Sequence, residues 1–521
     1  MNKKKAFDGA LAMIISQAIV KVFGLLYKLF LANKDGFGDS GNAIYNSGYQ
    51  IYALLLVVSS IGVPSAIAKM VSEKYYYGNK KEVAQILKSS LIIFSVIGLT
   101  LSLFLAFSAG FIANKVLDMN ETKYVLIALS PAIFNVCIIS VYRGFYNGTN
   151  NINITAKSQS IEQIFKTIFT ILLVEVSYIA YNKNTVVMAT MANFATTLAT
   201  LVCICYLNKK NKIYGIGAKF SGKVARRVFK ISIPISISAI LVSVSKNIDS
   251  VTVVRFLKNT IGEQNARIQY GLLSGKVDIL ASLPVSFIIA AAATLLPIVS
   301  SLNTRKDTEK TRYIIKNYLL YTILFVFPCG LVMLGFSDQI LKLLFNSSNG
   351  GLIFKISAVT MIFISLEQVV HSALHGIGKT YIPSVSLTIG VITKTCLNVV
   401  FLRMPYNFFL GGITGVCVAT MICHIMAFYI SYSALKKNLK IKLNFFKFIL
   451  KPLICSIIML MSLNYCYVFL ARIIAEKLAI IIATVFAINV YILTLFSFKI
   501  LSKNELKMVP ILSNFINFDK K

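Results

Sequence analysis

Tryptophan is absent from this 521-residue chain, and acidic residues number only 19. Charged residues of both signs make up 14%, whereas a soluble domain carries about 25% to keep its surface wet. That shortage excludes a water-soluble globular protein. Disorder is excluded from the other side: apolar residues reach 57%, and a disordered chain is poor in them. No polar stretch is long enough for a soluble nucleic-acid-binding domain, so the net charge of +34 is not read as a DNA or RNA site. Also missing are Cys-x-x-Cys, a Walker lysine loop, an Asp-rich prenyl-diphosphate motif, His-Glu-x-x-His and Gly-x-Ser-x-Gly. Redox pairing, ATP hydrolysis and enzymatic catalysis are therefore not expected. The nine cysteines all lie in apolar runs and read as small packing residues.

What is present is a series of continuous apolar runs, each near the roughly 20 residues that a transmembrane helix needs. They do not alternate as barrel strands do. Fourteen such runs predict an all-α polytopic membrane protein of about 14 transmembrane helices. The first follows Lys3-Lys4-Lys5 and continues to about Ala32. It is longer than a signal-peptide core and lacks a small-residue cleavage site, so it is read as a helix. Basic residues crowd alternate loops. The segment Lys209 to Lys230 holds eight basic residues, Lys212 among them, and no acid, and Lys436 to Lys451 holds six lysines, Lys442 among them. The intervening loops are mixed, with Lys34 beside Asp35 and Asp39, and Arg472 beside Glu476. Positive residues collect on the cytoplasmic side, which places both termini in the cytoplasm of a multi-pass protein. With no tryptophan, an interfacial belt falls to tyrosine, and Tyr75-Tyr76-Tyr77 stands where one is expected.

One offset recurs when the chain is laid against itself. At 228 residues, Ile51, Ala53, Leu55, Val57 and Ile61 fall on Ile279, Ala281, Leu283, Val285 and Ile289. The same offset brings Val71 onto Val299, Gly148 onto Gly376 and Lys166 onto Lys394. It spans six helices, so equivalent helices point the same way. Residues 1–222 and 223–440 are therefore expected to form two parallel six-helix halves around a central cavity. Residues 441–521 add helices 13 and 14 and a cytoplasmic tail. This plan belongs to transporters.

A charge within the hydrocarbon region costs on the order of 3 kcal/mol by insertion scales, so each asks for a reason. Helix one carries Lys21 and, two turns on along the same face, Lys28. Helix seven carries Lys246 and Asp249, three apart and read as neighbours in a pair; helix eight carries Lys276 and Asp278. Lys21, Lys28, Lys246, Asp249 and Lys276 are the candidate substrate-binding residues. Lys21 is too central to snorkel and is read as facing a wet cavity, while Lys28 and Lys276 stand between snorkelling and that cavity. Glu162 and Lys166 on helix five, in favourable i, i+4 order, and Lys394 on helix eleven form a coupling or structural set. A net-positive cavity suits an anion, and lysine meets phosphate as a point charge. Pro64, Pro131, Pro284, Pro297 and Pro328 read as kinks or hinges. His371 and His375 are spaced for a metal but lack a third ligand, so no metal is expected. Asn147-Gly-Thr149 matches a glycosylation acceptor but falls on the cytoplasmic side.

Tyr142-Arg143-Gly144-Phe145-Tyr146-Asn147-Gly148, with Ser158-Gln159-Ser160-Ile161-Glu162-Gln163, resembles the stage V sporulation protein B group of polysaccharide-biosynthesis membrane proteins. So do Gly62 to Lys69 and His375 to Pro383. The likeness runs along nearly the whole chain. It places the chain with the multidrug/oligosaccharidyl-lipid/polysaccharide exporter superfamily, similar to the lipid II flippases. The resemblance implies a fourteen-helix V-shaped fold in the bacterial cytoplasmic membrane. It also implies alternating access and a cationic cavity for an undecaprenyl-pyrophosphate-linked precursor. Lys21 before Gly24 matches the helix-one arginine of lipid II flippases. Tyr27, with Lys28 adjacent, stands at the second arginine, Ala53 to Ser60 carry no charge, and Lys276 lies about a turn from the helix-eight arginine.

The expected function is a flippase for a lipid-linked cell-wall precursor, lipid II first. The rivals are another lipid-linked repeat unit, a cation-coupled drug exporter of the same fold, and a non-transporting scaffold. No cofactor is expected, and coupling is left between membrane potential and a cation. The partners are the bilayer, the undecaprenyl-linked glycan and cell-wall synthesis proteins.

Overall fold

The computed structural model describes residues 3–60, 62–149, 151–210, 219–405, 408–441, 443–498 and 500. Ile61 of the repeat, Lys212 and Lys442 of the basic loops, and the tail 501–521 lie outside the described residues. Every regular element among the described residues is a helix. In order they are α1 (Lys3–Asn33), α2 (Gly38–Ser60), α3 (Gly62–Tyr76), α4 (Lys80–Phe111), α5 (Thr122–Gly148) and α6 (Ile152–Ala180). Then come α7 (Thr185–Lys210), α8 (Gly222–Ile261), α9 (Glu263–Leu272), α10 (Asp278–Thr304), α11 (Thr308–Gly335) and α12 (Ser337–Phe345). The last five are α13 (Gly351–Gly376), α14 (Tyr381–Arg403), α15 (Gly412–Leu439), α16 (Lys451–Leu470) and α17 (Glu476–Ser497). Single π turns lie at Ile112–Val116, Leu273–Val277 and Phe446–Leu450; the second joins α9 to α10.

Thirteen stretches of the described residues are long and apolar enough to cross a membrane. Beside them α8 stands at the place of the seventh expected helix, and its residues 231–245 carry no charge. Large apolar side chains cover the outer faces: Phe107 is 86% exposed, Ile179 79% and Met461 68%. Such surface suits lipid. Pro131 and Pro328 lie inside α5 and α11.

The chain packs as two compact units. One runs up to Ile279 and takes in Lys394–Val416; the other comprises Leu280–Thr393 and the described residues from Cys417 on. The 228-residue repeat is written into the local structure of each. In the first unit Gly148 of α5 lies on α3 so closely that a Cβ there would sit 2.7 Å from Val71 Cβ. In the second, a Cβ on Gly376 of α13 would sit 2.7 Å from Val299 Cβ on α10. The offset carries one pair onto the other. It also carries Asn79 onto Asp307. Asn79 caps α4 by accepting from the Glu82 amide at 3.2 Å, and Asp307 caps α11 by accepting from the Lys310 amide at 3.1 Å. Two copies of one sequence pattern thus close the same turn and the same helix crossing twice.

Candidate functional site

Helix α1 is held on α6 in parallel register. Ser16 Oγ donates to the Ala156 carbonyl at 2.7 Å, Gln17 meets Gln159 at 3.1 Å, and Thr167 Oγ1 donates to the Phe23 carbonyl at 3.1 Å. These bonds, two to backbone carbonyls and one between side chains, cross from helix to helix inside an apolar span and fix the rotation of α1. With that rotation set, Tyr27 turns inward, 4% exposed, while Lys21 is exposed and Lys28 half-buried.

Lys21 and Lys28 come together with Lys246 of α8. Lys28 lies within electrostatic reach of Lys166, Lys246, Lys21 and Asp278, and Lys21 within reach of Lys246. Lys246 and Asp278 are exposed, so the group borders accessible space. Among the described residues none of Lys21, Lys28 and Lys246 has a carboxylate within 4.0 Å. Asp278 lies within electrostatic reach of Lys246 and Lys28; with the neighbouring Asp249 taken up by Lys394, the three lysines leave a net positive charge on the group.

The other singled-out charges meet partners on other helices, and the two pairs expected within a helix do not form. Asp249 does not pair with Lys246 one turn away. Its carboxylate accepts from Lys394 of α14 at 2.6 Å and from Asn398 Nδ2 at 3.0 Å. The Lys394 ammonium also meets Ser245 O and Oγ, each at 3.2 Å. Lys394 is 1% exposed, so its charge is fully taken up inside the first unit. Glu162 does not pair with Lys166. It accepts from Arg143 of α5 at 2.6 Å, while Arg143 Nε donates to Ser158 Oγ at 3.0 Å. Lys166 instead lies over the rings of Tyr49 and Tyr27, 4.5 and 5.3 Å from their centroids. Lys276 does not reach the lysine group; it is buried against Asp39 of α2 at 2.9 Å. That contact requires close approach, since a Cβ on Gly275 would sit 2.7 Å from Asn42 Cβ.

Sequence reasoning missed several of these residues. Arg143 was visible only as part of a motif, and Asp39 only as a loop charge. Tyr45, Tyr49 and Tyr52 recur at helical spacing on α2, with centroids 6.0 and 5.5 Å apart, a pattern that could have been read as a lining for a buried cation. In the second unit, His371 hydrogen-bonds Ser431 at 2.9 Å, and Glu367 of the same helix accepts from or donates to His424 at 2.8 Å. Among the described residues no group of three or more His, Cys, Asp or Glu side chains is arranged to hold a metal ion.

Residues 6–303 match the family model of the polysaccharide biosynthesis proteins. The chain belongs to that family. Among the relatives of this family member is stage V sporulation protein B of Bacillus subtilis strain 168, 24% identical over 527 residues, with 99% of this chain and all of the relative covered. Lipid II flippase MurJ of the same organism is 24% identical over 461 residues, with 83% of each chain covered. Among solved structures, lipid II flippase MurJ in an inward closed conformation superposes with a TM-score of 0.69 at 18% identity. It covers 94% of this chain and 98% of that one. The fold is therefore that of a membrane transporter of this kind.

Proposed function

We propose that the protein flips an undecaprenyl-pyrophosphate-linked cell-wall precursor, lipid II, across the cytoplasmic membrane by alternating access of its two repeat halves, with both termini in the cytoplasm. The observation that carries this reading is the lysine group on α1 and α8. Three ammonium groups sharing accessible space within membrane-spanning helices repel each other. An anionic headgroup relieves that repulsion, and a pyrophosphate offers several oxygens to point charges. The prenyl chain stays in lipid while the headgroup crosses. The match to lipid II flippase MurJ over 83% of the chain supports the same substrate class.

The paired acids speak against a cation-coupled drug exporter. A cationic drug would need a carboxylate free to receive it, and in the first unit Asp249, Glu162 and Asp39 each hold a lysine or arginine while Asp278 stands among lysines. The test is complementation of lipid II flippase depletion, wild type against Lys21→Ala, Lys28→Ala and Lys246→Ala at matched membrane levels. Rescue by wild type and loss with the variants is expected. A wild-type protein that inserts correctly and fails to rescue sinks lipid II as the substrate and favours another lipid-linked glycan.

A further inference from the structure

The second unit holds a polar cluster that the lysine group does not use. Glu367 lies in the span Gly351–Gly376 and is 1% exposed; His371, one turn further on, is 7% exposed. His424 of α15 sets its Nδ1 2.8 Å from Glu367 Oε2, and His371 Nδ1 lies 3.6 Å from Glu367 Oε1. Across the His371 ring, Nε2 lies 2.9 Å from Ser431 Oγ and 3.4 Å from Ser386 Oγ. Ser431 donates to Ser386 at 2.8 Å, and Ser386 donates to the Pro383 carbonyl at 2.9 Å.

Those directions decide where hydrogens stand. A hydroxyl has one proton to give. The Ser431 proton is used on Ser386 and the Ser386 proton on Pro383, so both oxygens face His371 as acceptors. With the hydroxyls so arranged, His371 Nε2 is the atom that carries the ring hydrogen and donates to them. A neutral His371 then turns the lone pair of Nδ1 toward a carboxylate oxygen of Glu367, and two facing lone pairs in a buried site repel. One more proton in that gap removes the conflict, whichever of the two atoms it is bonded to. With it the cluster is neutral; without it a net negative charge is left inside a membrane span, which is costly. The titratable groups within electrostatic reach of His371 are Glu367 and His375 of its own helix and His424 of α15. Helix α14 faces it with the hydroxyl of Ser386, and α10 meets the neighbouring Ser372 through the Ala292 carbonyl.

We propose that Glu367, His371 and His424 form a proton-binding site in the second unit, and that the proton exchanged there is the ion coupled to transport. The binding site stands on its own geometry; its coupling role rests on the transporter reading. No bond other than that to the exchanged proton is made or broken. The proton passes between water and the gap between His371 Nδ1 and Glu367 Oε1.

The chain has three histidines, so nitrogen-15 histidine labelling of the full-length protein in lipid gives one assignable signal set. The His371 and His424 rings are expected to respond together in one pH step. In Glu367→Gln that shared step should vanish or move by about one pH unit or more, while His375 titrates in all variants and reports on folding. His424→Gln serves as the second variant should Glu367→Gln misfold. Rings that show no joint step, or the same step with and without Glu367, overturn the site. In proteoliposomes carrying undecaprenyl-pyrophosphate-linked glycan, an imposed proton gradient is expected to change the flipping rate of wild type and leave Glu367→Gln unresponsive. A variant that keeps the wild-type response overturns the coupling. Absence of any flipping by wild type counts against the flippase reading alone, since the ring titration still decides the proton site.

Discussion

Asp249 takes its cation from Lys394, 145 residues further along the chain, at 2.6 Å, although Lys246 stands one turn away on the same helix. The pair is almost closed to solvent, with side-chain exposures of 15% and 2%. A buried pair broken from one side leaves the remaining charge uncompensated, which costs about 3–5 kcal/mol. Lys394→Met should therefore lower thermal stability sharply, while Asp249→Asn combined with Lys394→Met should lose far less. Unfolding in detergent can be followed as buried Cys137 and Cys203 become reactive to a thiol dye. Equal losses in the single and double variants would remove the pair as a stabilising feature.

Gly148 and Gly376 carry the same crossing in the two copies of the repeat. A methyl group at either would sit 2.7 Å from a valine Cβ, so the helices must separate. Overpacking of this kind costs about 1–3 kcal/mol. Gly148→Ala and Gly376→Ala are each expected to destabilise by a similar amount in the same thiol-exposure assay. A silent substitution at either would show that its crossing has room to relax.

The helices were legible because they depend on apolar run length, and the charges to examine stood out because a charge in hydrocarbon is costly. The partners of those charges were not legible. Neighbours at i+3 and i+4 are visible in a sequence, so Glu162 was matched with Lys166 and Asp249 with Lys246. Packing instead brought Arg143 from α5 and Lys394 from α14. The direction of the error is physical: a helix shows which residues share its face, while the helix lying opposite decides which of them is satisfied. Glu367 was overlooked for a related reason. A lone acid in an apolar run gives no pattern until His424 arrives from another helix, although His371 at i+4 was a usable signal.

The two equivalent caps differ in the capping group. The Lys310 amide holds the Asp307 carboxyl below the usual carboxylate range, whereas Asn79 is an amide and does not titrate. A carboxyl depressed in the folded state contributes fully above its ordinary value of about 4 and loses that contribution as pH falls through the lower folded value. On acidification the first turn of α11 should therefore fray while that of α4 holds. Hydrogen exchange at the Lys310 amide against the Glu82 amide reads this directly, and Asp307→Asn should abolish the difference.

Lys166 offers a test of how a buried cation without a carboxylate is held. Its ammonium faces the rings of Tyr49 and Tyr27, and a desolvated contact of this kind contributes about 2 kcal/mol. Tyr49→Phe keeps a ring face and should be well tolerated, whereas Tyr49→Leu removes it and should lower thermal stability. Equal loss in the two would assign the role to the tyrosine hydroxyl, and no loss in either would remove the ring contact as a stabilising feature.

Binding and stability should separate at the lysine group. Lys21, Lys28 and Lys246 repel each other when the site is empty, so replacing Lys28 by methionine relieves repulsion and keeps the length of the side chain. The empty protein should be as stable as wild type or more so. A charge-assisted contact to a phosphate contributes about 1.5–3 kcal/mol, or roughly ten- to a hundredfold in affinity. Lys28→Met should weaken binding of undecaprenyl pyrophosphate by that factor, measured on purified protein against the thermal stability of the same sample. Arginine at this position should retain binding, because the charge stays and the fork can meet two phosphate oxygens. If Lys28→Met lost stability and affinity together, the lysine would be part of the scaffold, and the headgroup would have to be sought among other residues of the span.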